Sequence, residues 1–366
     1  MDTTYLRQYN QPQKVSVIIP IYNIKPEFVE KCLDSVIRQT LEDIEILIVD
    51  DGSSNGILEK CLKFYNNDKR VSIITQKNQG VSTARNNGVS LSTGKWITFV
   101  DADDWIDINM LEILYKRGED TNSEIVICNS FKEINAKSTQ INIFPVDIEL
   151  MNPNQKEELM LKTIISKHKT FSYNSEIVSA GATWAKLYNR KFWLENDLSY
   201  DKNLVRSQDS ILNIYAFQIA SKISFVSKSL YHYRYNELSA VNKYRKDALH
   251  SYELAISRFE EFANKFNKNK VYDEAIKIRK TIYFLHSITL DQFHKDNNLN
   301  LKYKIESIRV NREKNIFSDI FTNIDYSNYS FGVRVFLFLI KIKSYYIAYY
   351  IYKFTDYFRR YIRYKS

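Results

Sequence analysis

The stretch FVDADDW, residues 99–105, sets Asp101, Asp103 and Asp104 directly after an apolar run that reads as a buried strand. Close like charges repel, and each resists leaving water. Either the cluster is fully solvated or something positive belongs among it. Working outward, the same junction recurs. VSVIIPI (Val15–Ile21) is a β-branched run followed by Tyr22 and Asn23, and IEILIV (44–49) runs into Asp50, Asp51, Gly52 and Ser53. Further strands are expected at Val71–Thr75, 96–100 and 124–128, with helical spacing at 27–38, 55–65, Val81–Leu91 and 108–117. Pro26 suits a first helical turn. This alternation, about every 25–30 residues, predicts a parallel, doubly wound α/β sheet. Such sheets bind ligands at the carboxyl ends of their strands, where these polar groups lie.

With 366 residues and 44% apolar content, the chain can bury a large core, which excludes global disorder. The net charge is +9, and there are 27 Tyr and 21 Phe. That balance suits nucleic acid, anionic lipid or a phosphorylated ligand, depending on where the charge lies. Cys32, Cys61 and Cys128 are odd in number and scattered, which argues against a disulfide framework. No C-x-x-C suggests thiolate zinc. The polar start, MDTTYLRQYNQPQK, lacks an apolar signal region, and no apolar run reaches the ~18 residues of a membrane span. A cytosolic protein is expected.

No G-x-G-x-x-G follows the first strand, and no Walker A sequence is present. The phosphates of a bound nucleotide therefore need another counter-charge. A divalent cation held by Asp101 and Asp103 would supply it, and carboxylate oxygens suit Mg²⁺ or Mn²⁺. The plainer alternative for D-x-D is a solvated turn, and Asp104 or Asp107 is expected to cap the helix near Ile108. For Asp50 and Asp51 the plainer alternative is a turn capped by Ser53 or Ser54.

VSVIIPIYN, IEILIVDDGSS, KNQGVSTARNNGV and GKWITFVDADDWID together resemble the nucleotide-binding half of the inverting family-2 glycosyltransferases, which have the GT-A fold. The resemblance is close over residues 14–130 and weaker over 181–241. It implies a UDP-sugar donor. Pro20, Tyr22 and Asn23 would contact the nucleoside, and Asp50 and Asp51 the uracil and ribose, where a carboxylate accepts the imide N–H. Gly80 would let backbone approach the ligand, and Arg85 would reach the nucleotide or its phosphates. Asp101 would serve the ribose or metal side with Ala102 beside it, and Asp103 would ligate the metal. In NLVRSQDSILNIYAF, Asp209 stands at the position of the family's catalytic base, while Gln208 replaces the usual glutamate. Helix capping is the alternative for Asp209. ATWAKLYNRKFW resembles the segment at the acceptor entrance, with Trp184 and Lys186 pointing there. YHYRYNELSAV resembles the loop over the diphosphate and gives Arg234 and Ser239 phosphate contacts. His232 is either a metal ligand or a packed ring.

The expected domains are an N-terminal extension (1–13), a GT-A domain (14–240, halves 14–130 and 131–240), a helical region (241–330) and a basic aromatic helix (331–366). Helices are expected at 155–166, 184–193 and 208–221, and short strands at 223–226 and 230–235. In the tail, Arg334, Lys341, Arg359 and Arg363 fall near one helical stripe, with Lys343 opposite. It reads as a helix on the inner face of an anionic membrane, or one packed on the protein's own core or a dimer interface. A polyprenyl-diphosphate-linked glycan acceptor in capsule or cell-wall assembly follows from family and tail together. Rival readings are a catalytically silent sugar-nucleotide binder, a nucleotidyltransferase and a nucleic-acid binder. The last is disfavoured because the basic excess lies in the helical C-terminal part, without a nucleic-acid motif.

Overall fold

The computed structural model describes residues 4–8, 11–134, 137–165, 179–235, 244–246, 248–322 and 324–365, the last ten as backbone only. The chain divides into two compact units, Met1–Asn236 and Glu237–Ser366.

The first unit is a mixed sheet of ten strands: β1 (Thr4–Tyr5), β2 (Val15–Ile21), β3 (Ile44–Asp50), β4 (Val71–Thr75), β5 (Trp96–Phe99), β6 (Trp105–Ile106), β7 (Ile125–Ile134), β8 (Lys137–Ile141), β9 (Lys186–Asn189) and β10 (Ile223–Arg234). Their order is β1-β4-β3-β2-β5-β9-β7-β10-β6, with β8 on β7. Strands β4, β3, β2 and β5 run parallel, as the alternation predicts. Every residue of β3 is buried, and only Pro20 of β2 is not, so the runs face helices on both sides. The covering helices are α1 (Pro26–Ile37), α2 (Ile57–Asn67), α3 (Val81–Leu91) and α4 (Met110–Thr121). Helix α3 lies close to the sheet because Gly88 has no Cβ; one there would stand 2.5 Å from Cγ2 of Ile18. The turn into β5 is held by Glu45, whose Oε1 accepts from Ser16 Oγ (2.5 Å), Thr93 N (2.5 Å) and Gly94 N (3.0 Å).

Strand β9 breaks the parallel pattern, since it pairs antiparallel with both β5 and β7. The expected helix at 184–193 is corrected: β9 occupies 186–189, and only α6 (Arg190–Glu195) is helical. Four residues are too few to display a period, so strand and helix could not be told apart there. The two short strands expected at 223–235 are one strand, β10, whose register against β7 shifts at Val226/Ser229 and Ser229/Tyr231. Those irregularities account for the apparent gap. The polar stretch after Asn129 continues β7 and returns as β8. Helices α5 (Pro153–Ile164) and α7 (Gln208–Ile219) complete the unit.

The second unit is helical: α8 (Ala248–Lys265), α9 (Lys270–Leu290), α10 (Leu301–Glu313), α11 (Asn315–Ser318), α12 (Phe331–Lys341) and α13 (Tyr345–Lys365). The tail expected as one helix is two. Helix α12 ends in a Schellman turn, with Ser344 N–H donating to Leu339 O (2.8 Å) and Lys343 N–H to Ile340 O (3.1 Å). Lys343 holds the left-handed position of that turn at φ 62°. Among the described residues no helix is long and apolar enough to cross a membrane.

Candidate active site

The three aspartates after β5 have three different fates. Asp101 Oδ1 accepts from Arg85 Nη2 at 2.7 Å. Asp104 is 1% exposed, and accepts from Tyr231 Oη on Oδ2 (2.7 Å) and from the Arg234 backbone N–H on Oδ1 (2.7 Å). Asp104 is therefore no helix cap: it fastens the turn to the end of β10. The cap expectation is corrected for Asp107 too, because α4 starts at Met110 behind Asn109 without a side-chain cap. Burial pushes the Asp104 carboxyl well above the usual range, with Asp103 and Asp101 adding to it. Asp103 is half-buried, and its carboxyl is pushed up to about 6 by burial first and by Asp101 second. Of the two raised carboxyls, Asp103 is the more exposed, since Asp104 is enclosed by its bonds to Tyr231 and Arg234.

Arg85 carries the central contact. Its side chain is 4% exposed, and its fork spans two carboxylates: Nη2 donates to Asp101 and Nη1 to Asp209 Oδ1, both at 2.7 Å. Burial pulls this guanidinium's pKa down, but Asp209 and Asp101 outweigh it and keep the group charged. The ring of Tyr200 lies 5.2 Å from Cζ. Asp209 sits in the first turn of α7, with its side chain 24% exposed. Burial raises its pKa, against the pull of Arg85. The bond to Arg85 is made by Oδ1. Capping is excluded, since Ser207 is the N-cap residue and no side-chain cap bond forms.

A second carboxylate orders the approach to Arg85. Asp51, 3% exposed, accepts from Gln76 Nε2 (2.7 Å) and Gln79 N–H (2.8 Å) on Oδ1, and from Gly80 N–H (2.8 Å) on Oδ2. Gln76 in turn accepts from Asn87 Nδ2 (2.6 Å). Asp51 thus builds the loop that launches α3, an internal role that its sequence context did not reveal. Gly80 closes that loop at φ 90°, with open space where a Cβ would stand. Asp50, 3% exposed, accepts from Ser53 N–H on Oδ1 (3.0 Å). Asn23, at φ 44°, ties the two strand tips together by accepting from Ser54 N–H (2.8 Å). Tyr22 is 53% exposed beside it. Pro20 lies half-buried near the end of β2, and Ala102 is buried in the D-x-D turn.

Arg234 lies at the same turn. Its Nε donates to Asp103 O (2.7 Å), and Cζ stands 4.4 Å from the Phe28 ring and 4.8 Å from the Trp105 ring. Lys31 Nζ lies 3.0 Å from the centre of the Trp105 ring. Ser239 falls outside the described residues. His232 is the packed ring rather than a ligand. It stacks between Trp105 and Phe131, with Nδ1 2.7 Å from Glu133 and Nε2 3.4 Å from Asp107.

The expectation that Trp184 and Lys186 point into an acceptor entrance is corrected. Trp184 is 4% exposed and stacked on Tyr231 at 4.5 Å. Lys186 is fully buried, and its ammonium donates to Ala182 O (2.6 Å) and Ser179 O (2.8 Å). Asn213 of α7 donates to Gly181 O (3.0 Å) and Ala182 O (2.9 Å), and accepts from Tyr188 Oη (2.6 Å). Lys186 and Asn213 thus lock the 179–185 segment to the helix that carries Asp209. Gln208 opens that helix, half-buried. Lys186→Met should remove about 1–3 kcal/mol of stability, because buried carbonyls lose their donor. Urea unfolding would measure it. Burial also drives Lys186 down to about 7 from 10.5. The unfolded chain then binds more protons, so the wild type should gain stability from about pH 7 to 10.5 and the variant less.

Asn86, Tyr200 and Asn213 escaped the sequence reading. Asn86 exchanges two hydrogen bonds with the Tyr200 backbone, both 2.9 Å, and so docks α3 against the segment before α7. Its place beside Arg85 in ARNN was the only available signal.

This arrangement defines a GT-A transferase, and similarity to solved structures agrees at the level of fold. Staphylococcus aureus TarS 1–349 in complex with UDP-GlcNAc aligns with a TM-score of 0.54 at 18% identity, covering 86% of this chain and 74% of that one. The chain belongs to glycosyltransferase family 2. Residues 16–173 match the model described as "Glycosyl transferase family 2". Bacillus subtilis EpsH, a glycosyltransferase by name, is 30% identical over 275 residues, 75% of each chain. Bacillus subtilis EpsJ, an uncharacterised glycosyltransferase, is 34% identical over 223 residues, and the match spans 61% of its length.

Proposed function

We propose that this glycosyltransferase moves a single sugar from a UDP-sugar to a hydroxyl of a glycan acceptor, inverting the anomeric configuration. The observation that supports this most is the Arg85 bridge. It holds the donor-side Asp101 and the acceptor-side Asp209 on one guanidinium, so both face a shared space.

Asp209 acts as general base and takes the hydroxyl proton on Oδ2. Its raised pKa favours that transfer. The acceptor oxygen then attacks the anomeric carbon opposite the departing UDP. Arg85 keeps Asp209 aligned. Arg234, pinned through Nε, turns its remaining N–H groups toward the leaving phosphates, with Ser239 as a further donor. Asp50 Oδ2 accepts from the uracil, while Pro20, Tyr22 and Asn23 border the nucleoside and Asp51 shapes the loop beside the ribose. Gln208 lies next to the acceptor.

Asp101 and Asp103 fit a divalent cation by the chemistry of their donors: hard carboxylate oxygens, partly open, one destabilised by burial and then by its neighbour. Among the described residues no set of three His, Cys, Asp or Glu could hold a metal alone. Donor phosphates and water would complete the shell. Once bound, Mg²⁺ or Mn²⁺ supplies charge neutralisation for the leaving diphosphate. Trp184, Lys186 and His232 support the site from behind rather than touching substrate.

A lipid-linked acceptor at the inner face of a bacterial membrane, in surface polysaccharide assembly, fits the basic aromatic tail and the named relatives. The test is a panel of sugar nucleotides with Mn²⁺ or Mg²⁺, read by released nucleoside diphosphate and by thermal shift. A UDP-sugar should raise the melting temperature, more so with metal, and Asp103→Asn should remove the metal increment. Stabilisation by no sugar nucleotide would defeat the reading.

A further inference from the structure

Exposed large apolar side chains are scattered over the first unit but concentrated over residues 331–354 of the second. On α13 they repeat at helical spacing: Tyr346 (51% exposed), Ile347 (55%), Tyr350 (63%) and Phe354 (64%). Phe338 and Ile342, each 50% exposed, continue the patch across the turn from α12. The opposite face of α13 is already occupied. Tyr345 and Ala348 are buried, and Tyr349 and Tyr352 lie against Phe293 at 5.1 and 5.5 Å. Tyr350 meets Tyr349 edge-on at 5.4 Å, yet the stripe as a whole stays half or more open to solvent, and its regular spacing sets it apart from the isolated apolar residues every surface carries.

Its charge is one-sided. Residues 331–355 contain Arg334, Lys341, Lys343 and Lys353 and no Asp or Glu. Lys341 and Lys343 are exposed at the turn, beside Ile342. The Schellman turn holds Lys343 in the left-handed region, a position that usually goes to glycine. A lysine there, where glycine would strain less, keeps a cation next to the apolar patch. Glu306 and Glu313 of α10 come near Tyr345 at the start of α13, together with Arg309 and Arg312, but every charge that α12 and the described side chains of α13 carry themselves is a cation. An apolar stripe of aromatic and branched residues on two helices with that charge matches the interface of an anionic bilayer. Rings sit at headgroup depth and ammonium groups meet lipid phosphates.

We propose that the α12–α13 hairpin is a membrane-docking surface. Tyr346, Ile347, Tyr350 and Phe354 enter the headgroup layer of an anionic leaflet, and Lys341 and Lys343 bind its phosphates. This deepens the proposed reading by naming the surface at which a lipid-linked acceptor is met, and it rests on that reading only for its purpose.

The experiment is flotation of the full-length protein with phosphatidylcholine vesicles, with and without 30% phosphatidylglycerol. Neither donor nor acceptor is present, so the outcome is independent of whether sugar transfer occurs. Wild type should float with the anionic vesicles and much less with the neutral ones. Tyr346→Ser/Tyr350→Ser/Phe354→Ser should stay in the dense fraction. Lys341→Gln/Lys343→Gln should weaken anionic binding about tenfold or more, since each lysine near such a surface contributes substantially. All the altered side chains are exposed, and circular dichroism checks that the helices persist. Equal flotation by wild type and the triple variant would overturn the proposal. So would a triple variant that floats normally but changes from dimer to monomer in sedimentation, because the stripe would then be covered by a second copy.

Discussion

Asp209→Asn should lose transfer by about 10²–10⁴-fold in kcat while donor affinity stays at the wild-type level. The amide can still accept from Arg85 Nη1, now 2.7 Å from Oδ1, so the geometry of the fork is kept. What disappears is the oxygen lone pair basic enough to take a proton. Nucleoside diphosphate release with acceptor present would report the loss, and calorimetric titration with the donor would report retained binding. Undiminished transfer by the purified variant would remove Asp209 from the reaction. In the wild type, kcat/KM should fall on the acid side at a pH above the ordinary carboxylate range, because burial holds the Asp209 carboxyl up.

Arg85→Met should be the most damaging change to the site as a whole. The guanidinium opposes the burial of Asp209, so without it the carboxyl rises further and the acid limb of the pH profile moves to higher pH. Two carboxylates would also be left near each other without their shared cation. A buried pair broken in this way typically loses about 3–5 kcal/mol; here the aspartates are 28% and 24% exposed, and water recovers part of that, so about 2 kcal/mol is expected. Arg85→Lys cannot span both partners and should fall between the two. Chemical denaturation together with a kcat/KM–pH series would separate the structural loss from the catalytic one. A variant with an unmoved acid limb would show that Arg85 does not tune the base.

The parallel half of the sheet was legible because its strands are buried on both faces and therefore appear as unbroken β-branched runs, each ending in a polar tip. Strand β9 was not, because KLYN is short and mixes a lysine with aromatics, and the direction of its pairing depends on strands far along the chain. At the site, Asp101, Asp103 and Arg85 could be singled out, but their division of labour could not. Asp103 and Asp104 are adjacent in sequence. Only the arrival of Tyr231 and Arg234, about 130 residues later, makes the second a structural anchor. Lys186 was expected at the acceptor entrance because ATWAKLYNRKFW resembles the segment found there. Its true partners are backbone carbonyls, which leave no trace in a sequence.

The loop fastened by Asp51 limits how donor preference could be redesigned. Its carboxylate fixes Gln79 and Gly80, and through Gln76 and Asn87 the helix that aims Arg85. Reshaping this loop would therefore tilt the guanidinium that bridges Asp101 and Asp209, so on the proposed reading selectivity and turnover would deteriorate together. Tyr22, more than half open and outside that chain of bonds, can be varied without loosening it.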